Sequence, residues 1–514
     1  MRLRLLSALV AAALSPPVLA SAQPQDAGPD TGAGATEELA PAVTWTEEPT
    51  EAVLSGTWAA PEEDGRVPGP KYALQKIEIK GNDKTMRSVI SRYVEIEPGE
   101  VFAADDPRLV RARYRMLASG LFYDVQLYLK RGDKRGWVVL VVDVKERNTI
   151  VVQDIMAGFS EITPYGSLDV ADRSFLGSGI SVSAAVVAAA DQYGYRLRFN
   201  DSHFLDSDFG LHFEGLYAHA RDYFGREHIQ VESSTGDSTR DYAILRYDRA
   251  GGRLGTGYTM LGDNFFSLDY RFEIINADVP VAGSNYSFGE TRPIEFGHLL
   301  PGHSILSALS FGVLRDTRDS TVLPSEGART AFDVELSTEV LGSDYEYSKF
   351  TLAYDHHFPL RSGHSIKLHL FAGLIMGDAP FFDQFFVGDF SAFVPARVLE
   401  MNFSHLAPSV LGTTIKEMRY EDLAGSIGLE YSLPFYRGQG FFYAVNGFVG
   451  LGVFALCSRE DLRTDPKGYT GFQVVPMDLT ADLGVRVDTE IGLFVFSFAN
   501  LVRLIPDIGE EMAE

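Results

Sequence analysis

The chain has very little cysteine, and it has fewer positively than negatively charged side chains. Its single cysteine, Cys457, excludes a disulfide within the chain. Lysine and arginine number 45 against 70 aspartate and glutamate residues, which gives a net charge of -25. Because nucleic acids bind to basic surfaces, this balance argues against a nucleic-acid partner.

Motifs that support catalysis are also missing. The sequence has no Gly-x-Ser-x-Gly motif, phosphate-binding loop or paired-carboxylate arrangement. His356 and His357 would point to opposite faces of a strand, and no metal-ligand spacing accompanies them. Asp316 and Asp319 are candidates for an acid–base or calcium pair, although a charged turn with Arg318 between them is the simpler interpretation. We therefore predict a protein that is not an enzyme and that needs no cofactor or metal.

Long apolar runs are scarce, and the one clear example lies at the N-terminus. Arg2 and Arg4 flank the start of the apolar residues 5–13, and residues 20–22 (Ala-Ser-Ala) form a small-residue cleavage site. This arrangement predicts a signal peptide over residues 1–22 and export from the cytoplasm. Charged or polar residues interrupt every other apolar window of about 18 residues, which argues against a transmembrane helix.

Residues 23–70 are rich in proline and acidic side chains. They hold seven prolines, ten carboxylates and one basic residue, Arg66, and they show no sustained apolar period. Such a segment buries too little apolar surface to offset the entropy lost on folding. We predict a disordered acidic linker, which serves either as a periplasmic spacer or simply as a solvated tail.

Residues 71–147 show the pattern of a small α+β domain. Leu74, Ile77 and Ile79 indicate a strand, Thr85 is the expected cap of a first helix, and Asp106 is the expected N-cap of a second. The predicted order is β-α-α-β-β, with helices at residues 86–94 and 107–119 and later strands at residues 122–130 and 137–145.

The order and motifs of this domain resemble those of a polypeptide-transport-associated (POTRA) domain. The likeness rests on the runs KIEIKGNDKT, EPGEVF, RARYRMLASGLFYDVQLYL and VVLVVDVKE. It implies a domain that binds unfolded or partner chains by adding a strand to an exposed sheet edge. The edge expected here comprises Val125, Gln126, Leu127, Tyr128, Leu129 and Lys130. A small α/β packing domain without that role is the alternative.

Residues 150–505 contain alternating strands and no convincing helix. Segments of about 9 to 13 residues recur, which is the length that crosses a bilayer as a tilted strand. Phe332, Val334 and Leu336, for example, oppose Asp333 and Glu335. A soluble sandwich would also alternate, but about 350 helix-free residues would make it unusually large. We predict an all-β transmembrane barrel of about 16 antiparallel strands, followed by an acidic tail at residues 506–514.

The barrel segment resembles the bacterial surface antigen barrels, a superfamily of outer-membrane assembly factors and translocators. LRDTRDSTVLPSEGARTAFDVEL carries an Asp-x-Arg-Asp and Pro-x-x-Gly signature, and DLGVRVDTEIGLFVFSFA resembles the closing hairpin. The matching residues are Asp316, Arg318, Asp319 and Gly327 in the first run and Gly484, Arg486 and Gly492 in the second.

One loop departs from that family's pattern. The family carries a Val-Arg-Gly-Phe-like tip on a loop folded into the lumen, where the arginine pairs with carboxylates on the barrel wall. After Gly388 this chain contains FVPAR instead, so Arg397 either replaces that arginine or is an ordinary surface residue. If it replaces the arginine, the resemblance implies a carboxylate partner on the strand that carries Asp333 and Glu335.

Together these resemblances imply an outer-membrane barrel with a periplasmic POTRA domain that helps to insert or translocate other polypeptides. A lateral seam between the first and last barrel strands would accept the incoming strand. Expected partners are outer-membrane lipid, unfolded or partner polypeptides, and periplasmic accessory proteins. The alternatives are a passive channel or porin and an exporter of one dedicated partner.

Overall fold

The computed structural model of the chain covers most of the segments that were predicted to fold. It describes residues 51–54, 70–159, 163–224, 229–233, 236–240, 243–260, 264–279, 282–287, 290–293, 296–320, 322–390, 397–403, 420–438, 440–459 and 477–502. The predicted signal peptide (residues 1–22), most of the predicted linker (residues 23–70) and the acidic tail (residues 506–514) lie outside these ranges. The described residues divide into a smaller unit, which ends at Asn148 and includes Leu176–Gly179, and a larger unit.

The smaller unit is one five-stranded sheet with two helices. Its elements in chain order are β1 (Glu51–Leu54), β2 (Lys71–Lys80), α1 (Arg87–Ser91), β3 (Val101–Ala103), α2 (Pro107–Ala118), β4 (Phe122–Arg131) and β5 (Trp137–Glu146). The sheet order is β1-β4-β5-β2-β3, with β2 parallel to β5 and the other neighbours antiparallel. The predicted order of helices and strands is confirmed, and β1 and β3 are two further short strands.

The core of this unit lies between the helices and one face of the sheet. Ile90 of α1 and Met116 of α2 are buried in one cluster with Leu74, Leu129 and Leu140 of the strands. In the strands such residues occupy alternate positions, so that each strand presents one apolar face to the helices.

The two helices begin in different ways. Helix α2 begins as predicted, with Asp106 as its N-cap and Pro107 as its first residue. The predicted cap of α1 is wrong, because Met86 occupies the N-cap and makes no side-chain cap bond. The carboxylate of Glu146 instead accepts the N–H of Thr85 at 2.7 Å. A residue from β5 therefore holds the turn before α1, a contact that local sequence does not reveal.

Removal of the α2 cap should destabilise the smaller unit. The side chain of Asp106 accepts the N–H of Arg108 at 2.9 Å, so Asp106→Ala should lower the free energy of unfolding by about 1 kcal/mol. Trp137 begins β5, and the other two tryptophans of the chain, Trp45 and Trp58, also precede residue 148. Tryptophan fluorescence during urea denaturation of the whole protein therefore carries no signal from the larger unit. Asp105→Ala, next to the cap and exposed, is the matched control.

The effect of the Asp106→Ala substitution should depend on pH. Burial raises the pKa of Asp106, but hydrogen bonds from Arg108 outweigh it and bring the pKa below the usual 3.8. The ionised cap therefore stabilises the fold above pH 3.8, and this contribution is lost as the pH falls further. The difference between wild type and variant should shrink in that range, and a constant difference would contradict the assignment.

The larger unit is dominated by long strands. Its strands are β6 (Ile150–Phe159), β7 (Pro164–Asp172), β8 (Ser181–Ala189), β9 (Tyr193–Asp201), β10 (Phe209–Phe224), β11 (Ile229–Ser233), β12 (Gly236–Arg240), β13 (Ala243–Met260), β14 (Asn264–Asp278), β15 (Ala282–Ser287), β16 (Glu290–Pro293), β17 (Gly302–Asp316), β18 (Gly327–Ser337), β19 (Tyr347–Pro359), β20 (Ser365–Gly377), β21 (Phe385–Phe386), β22 (Arg397–Val398), β23 (Met401–Asn402), β24 (Tyr420–Glu421), β25 (Leu423–Arg437), β26 (Phe442–Cys457), β27 (Met477–Thr489) and β28 (Gly492–Val502).

Fifteen of these strands form one antiparallel barrel sheet. Its order is β6-β7-β8-β9-β10-β13-β14-β17-β18-β19-β20-β25-β26-β27-β28. This agrees with the predicted barrel and lies within one strand of the predicted number. The near rim is defined here as the end of the barrel at which β6 begins, and the far rim is the opposite end. No helix in the described ranges is long and apolar enough to cross a membrane.

The distribution of side chains identifies the two faces of the barrel. In β14, Tyr270 and Phe272 are 42% and 41% exposed, whereas Arg271 and Glu273 between them are 5% and 4% exposed. A soluble sheet would expose its charges and bury its aromatic rings. The reversed pattern fits an outer face that contacts lipid and a lumen that carries the charges.

Candidate functional site

The signature residues of β17 and β18 build the turn between these strands at the near rim. The Arg318 guanidinium donates to both carboxylate oxygens of Asp316, at 2.8 and 2.6 Å. Asp319 accepts the N–H of Ser325 at 2.8 Å. Gly327 has φ +96, and a Cβ there would lie 2.2 Å from the carbonyl oxygen of Thr317. These residues shape the turn between β17 and β18, as the simpler interpretation of the sequence predicts.

The segment between β20 and β25, residues 378–422, is called the plug loop below, and the parts of it that the structure describes pack against the lumen wall. Its described parts are residues 378–390, 397–403 and 420–422. Phe381 and Phe386 are 1% and 0% exposed. The ring of Phe381 meets that of Tyr247 in β13 at 5.3 Å, and Phe390 stacks on Phe454 of β26 at 4.9 Å. The loop therefore contacts barrel strands far apart in the sheet order.

Two wall arginines hold the plug loop through its carboxylates. Arg271 Nη1 donates to Asp383 at 2.9 Å, and Arg249 Nη1 donates to Glu400 at 2.8 Å. Both arginines also bind Glu273 in the wall, at 2.6 Å from Arg271 and 2.9 Å from Arg249. The two arginine side chains are at most 6% exposed, so this cluster, called the lumen network below, is largely shielded from water.

Other polar groups complete the lumen network around Asp383. Tyr347 of β19 donates its hydroxyl to Asp383 at 3.1 Å and to Glu335 at 2.8 Å. Lys349 Nζ donates to the backbone carbonyl of Asp383 at 2.6 Å. Arg249 also lies over the ring of Phe382, with its guanidinium carbon 3.9 Å from the ring centroid. The loop is thus docked by both charge and aromatic contacts.

The structure places Arg397 elsewhere than the family resemblance implied. Arg397 forms an ion pair with Asp389 of the same loop, and its Nη1 lies 3.4 Å from the carbonyl oxygen of Phe382. The prediction that Arg397 pairs with a carboxylate of the barrel wall is therefore wrong for both candidate residues, Asp333 and Glu335. Glu335 binds Arg253 and Arg271, each at 3.3 Å, and Asp333 lies opposite Gly312 and Thr351 in the sheet. Gly388 belongs to the short turn Val387–Phe390.

The polarity of the lumen network is therefore opposite to the one expected. The carboxylates Asp383 and Glu400 lie on the loop, and the arginines lie on the wall. We missed these residues from the sequence, although one signal was present in β14. Asp269, Arg271 and Glu273 follow one another at alternate positions between large apolar residues, which marks a charged lumen face. The sequence around the loop carboxylates Asp383 and Glu400 shows no such alternation.

The closing hairpin, β27 and β28, contributes a second wall pair. Arg486 binds Glu430 through two hydrogen bonds, at 2.6 and 2.7 Å, and lies over the ring of Phe448. Gly484 faces Phe448 in the ladder between β26 and β27. These contacts run from β27 across β26 to β25, and they involve no described residue of the plug loop.

The two edge strands of the barrel sheet meet at the near rim and form a seam. The N–H of Val152 donates to the carbonyl of Ile491 at 2.8 Å. Gly492 has φ +146, and a Cβ there would lie 2.3 Å from the carbonyl oxygen of Val152, so only glycine fits this approach. Among the described residues, β6 and β28 form no ladder beyond this point. Because β6 and β28 are the first and the fifteenth strands of an antiparallel sheet, they run in the same direction.

A cavity with a mainly apolar lining and a few charged side chains remains between the plug loop and the barrel wall. Its volume is about 500 Å³, and its lining includes Lys349, His369, Glu430 and Asp482. A second cavity of about 160 Å³ towards the near rim shares Lys367 and Glu430 with it. Within the described ranges no three His, Cys, Asp or Glu side chains are grouped to hold a metal ion.

The predicted edge of the smaller sheet is already paired in the structure. Strand β1 lies antiparallel along β4 and pairs with Leu127, Tyr128, Leu129 and Lys130. The prediction of disorder throughout residues 23–70 is therefore wrong for residues 51–54. An isolated four-residue strand has no recognisable period, and it forms because β4 supplies the backbone partners. Val125 and Gln126 have no described partner in β1.

Comparisons with known families agree with the two units. Residues 72–147 match the POTRA model described as surface antigen variable number repeat. Residues 174–392 match the model of the Omp85 superfamily domain. The second match includes the near-rim turn, the lumen network strands and the first part of the plug loop.

Comparisons with individual proteins give distant likenesses. The chain is 24% identical over 325 residues to outer membrane protein assembly factor BamA from Nitratidesulfovibrio vulgaris, which covers 62% of this chain and 37% of that protein. It is 30% identical over 145 residues to the sorting and assembly machinery component 50 homolog from Mus musculus, which covers 27% of this chain and 29% of that protein. The matches thus span about a third of these relatives. CdiB from Escherichia coli has a similar fold, with a TM-score of 0.55 at 11% identity over 85% of this chain and 73% of that chain.

Proposed function

Because the chain belongs to the Omp85 superfamily, we propose that it inserts other polypeptides into the outer membrane or translocates them across it. The chain is an outer-membrane protein whose POTRA domain lies in the periplasm. One of its relatives is named as an outer membrane protein assembly factor and another as a component of a sorting and assembly machinery. Their names support a role in handling polypeptides, and they do not identify the clients of this chain.

The seam between β6 and β28 is the observation that carries this proposal. One backbone hydrogen bond joins the two edges at the near rim. Backbone groups without partners are costly in lipid, so such edges favour pairing with a further strand. Since β6 and β28 are parallel to each other, one inserted strand would be antiparallel to both and would complete two ladders.

The proposed mechanism is strand addition at two places. An extended client segment first pairs with the edge of β4 in the POTRA sheet, which requires backbone groups and therefore tolerates many sequences. A client strand then enters the barrel seam, where β6 and β28 supply its backbone partners. No bond to a cofactor and no covalent step is needed.

The plug loop makes a passive channel the weaker alternative. A porin needs a lumen that is open to water, whereas the lumen network and the rings of Phe381 and Phe386 hold the loop against the wall. An exporter of one dedicated partner would use the same seam or lumen, and it differs from the leading proposal in the number of clients.

Depletion of the protein from cells tests the proposed function. We expect the levels of other outer-membrane barrel proteins to fall while small-solute permeability does not. Restored levels on re-expression of the wild-type chain would exclude an effect of the depletion method. If barrel levels stay unchanged and permeability falls, the protein is a channel. If a single surface or secreted protein is lost, the protein is a dedicated exporter.

A further inference from the structure

Strand β1 lies on the same sheet edge that the proposed function assigns to clients. Glu51, Ala52, Val53 and Leu54 pair with Lys130, Leu129, Tyr128 and Leu127 in antiparallel register. These four residues belong to the proline-rich acidic segment before the POTRA domain. The segment therefore contributes a strand to a sheet whose other members all follow residue 70.

The edge of β4 is the longer of the two edges that this sheet would present without β1. Strand β4 has ten residues, whereas β3, at the opposite edge, has three. A strand of four residues along β4 contributes few hydrogen bonds, so the contact is weak compared with a core ladder. An edge of this length can pair with a longer strand than β1.

Two lysines lie around Tyr128 of β4, namely Lys130 of the same strand and Lys80 of β2. The ammonium groups of Lys80 and Lys130 lie 5.8 and 5.7 Å from the ring centroid of Tyr128, and Lys80 Nζ lies 3.2 Å from the Tyr128 hydroxyl oxygen. Glu51 stands opposite Lys130 in the register. The register therefore puts an acidic position of β1 opposite a basic position of β4, a pairing that favours antiparallel association.

We propose that β1 is an internal competitor for the client-binding edge of the POTRA sheet. Residues 51–54 cover β4 when no client is present, and an extended client segment binds by displacing them. The inference rests on the proposed function, because it assumes that β4 receives clients. The inference adds that β1 covers the edge of β4 in the absence of a client. It also adds that the preferred client is an extended segment with an acidic residue at the register position opposite Lys130.

Tethering explains how so short a strand can occupy the edge. A segment of the same chain has an effective concentration on the order of millimolar, so weak pairing suffices to cover β4. A client that pairs with more of the ten residues of β4 gains enough extra hydrogen bonds to displace the tethered strand. Strand β1 would thus exclude segments that pair with only a few residues of β4, and longer extended segments would still bind.

The test uses the full-length protein in detergent and a fluorescent peptide with the sequence of residues 50–57, TEAVLSGT. The variant Ala52→Pro/Val53→Pro removes two adjacent N–H groups, one of which points towards β4 because successive strand residues alternate. If β1 covers the edge in about nine molecules of ten, the variant should bind the peptide about tenfold more tightly than wild type. Ala35→Pro/Thr36→Pro, upstream in the same segment, is the matched control and should bind like wild type.

Hydrogen exchange provides the second measurement. In wild type and control, the backbone amides of residues 127–130 that face β1 should be protected, and in the Ala52→Pro/Val53→Pro variant they should exchange faster. Unchanged protection of β2 and β5 would show that the variant is folded. The proposal that β1 competes with clients would be overturned by equal peptide affinity in variant and wild type, or by absence of peptide binding. Unchanged exchange in the folded variant would also overturn it. None of these results would affect the barrel levels measured on depletion, so the two proposals fail separately.

Discussion

The double variant Asp383→Ala/Glu400→Ala is expected to open the barrel to ions. It removes both carboxylates through which the wall arginines hold the plug loop. Arg249 and Arg271 retain Glu273 as a partner in the wall, so the barrel itself should remain folded. The loop keeps its aromatic contacts, and it should leave its docked position for part of the time.

The two carboxylates contribute unequally to docking. The side chain of Asp383 is 9% exposed, whereas that of Glu400 is 49% exposed. Breaking a buried pair costs about 3–5 kcal/mol, and an exposed pair contributes about 0–1 kcal/mol. A loss of about 3 kcal/mol raises the undocked fraction about a hundredfold. Most of the effect should therefore come from Asp383.

Single-channel recording in planar bilayers measures this effect. The double variant should show larger and more frequent conducting events than wild type. Arg253→Ala is the matched control, because it removes a lumen arginine that binds Glu335 and contacts no described residue of the plug loop. Equal conductance in the double variant and in wild type would contradict the docking role of the lumen network.

Locking the seam should stop the insertion of client polypeptides. Val152→Cys/Ile491→Cys would join the two edges where the N–H of Val152 already meets the carbonyl of Ile491. Cys457 is the one native cysteine of the chain, so both new cysteines are introduced into a Cys457→Ala background to exclude mispairing. The oxidised protein should lose insertion activity, and the reduced protein should regain it, because only the disulfide prevents the edges from separating.

Proteoliposomes with a urea-unfolded barrel polypeptide as client measure this loss. The client fraction that becomes protease-resistant should fall to the level of empty liposomes in the oxidised protein. Leu429→Cys/Leu451→Cys is the matched control, because these residues face each other in the ladder between β25 and β26, away from the seam. Insertion by the oxidised seam variant at the rate of the control would show that the edges need not separate.

The fold could be predicted where a local pattern decides it. Asp106 and Pro107 mark the start of α2 because a cap and a first-turn proline act within one helix turn. The alternation of Phe332, Val334 and Leu336 with Asp333 and Glu335 identified β18 and its charged face. Thr85 failed as a cap because Glu146, which is distant in sequence, holds that turn. Strand β1 escaped prediction because its pairing uses the backbone alone.

The lumen site could be predicted only in part. Period-two alternation shows which side chains enter the lumen, but it does not show which of them meet across a barrel. Arg397 was paired by analogy with a wall carboxylate, and the structure offers it Asp389, eight residues earlier on the same loop. Asp383 and Glu400 reach the wall because the loop folds back over several strands, a path that no local signal encodes. Gly492 was matched only as part of the closing hairpin, and the structure puts it against the carbonyl oxygen of Val152.

Site-specific photo-crosslinking in cells tests strand entry at the seam most directly. A photoreactive residue replaces Ile155 of β6, which is 64% exposed on the outer face beside the seam, or Leu451 of β26, which is 67% exposed on the outer face away from it. During synthesis of an outer-membrane barrel protein, the residue at position 155 should form an adduct with that client, and the residue at position 451 should not. Equal adducts at both positions, or none at position 155, would contradict entry of client strands between β6 and β28.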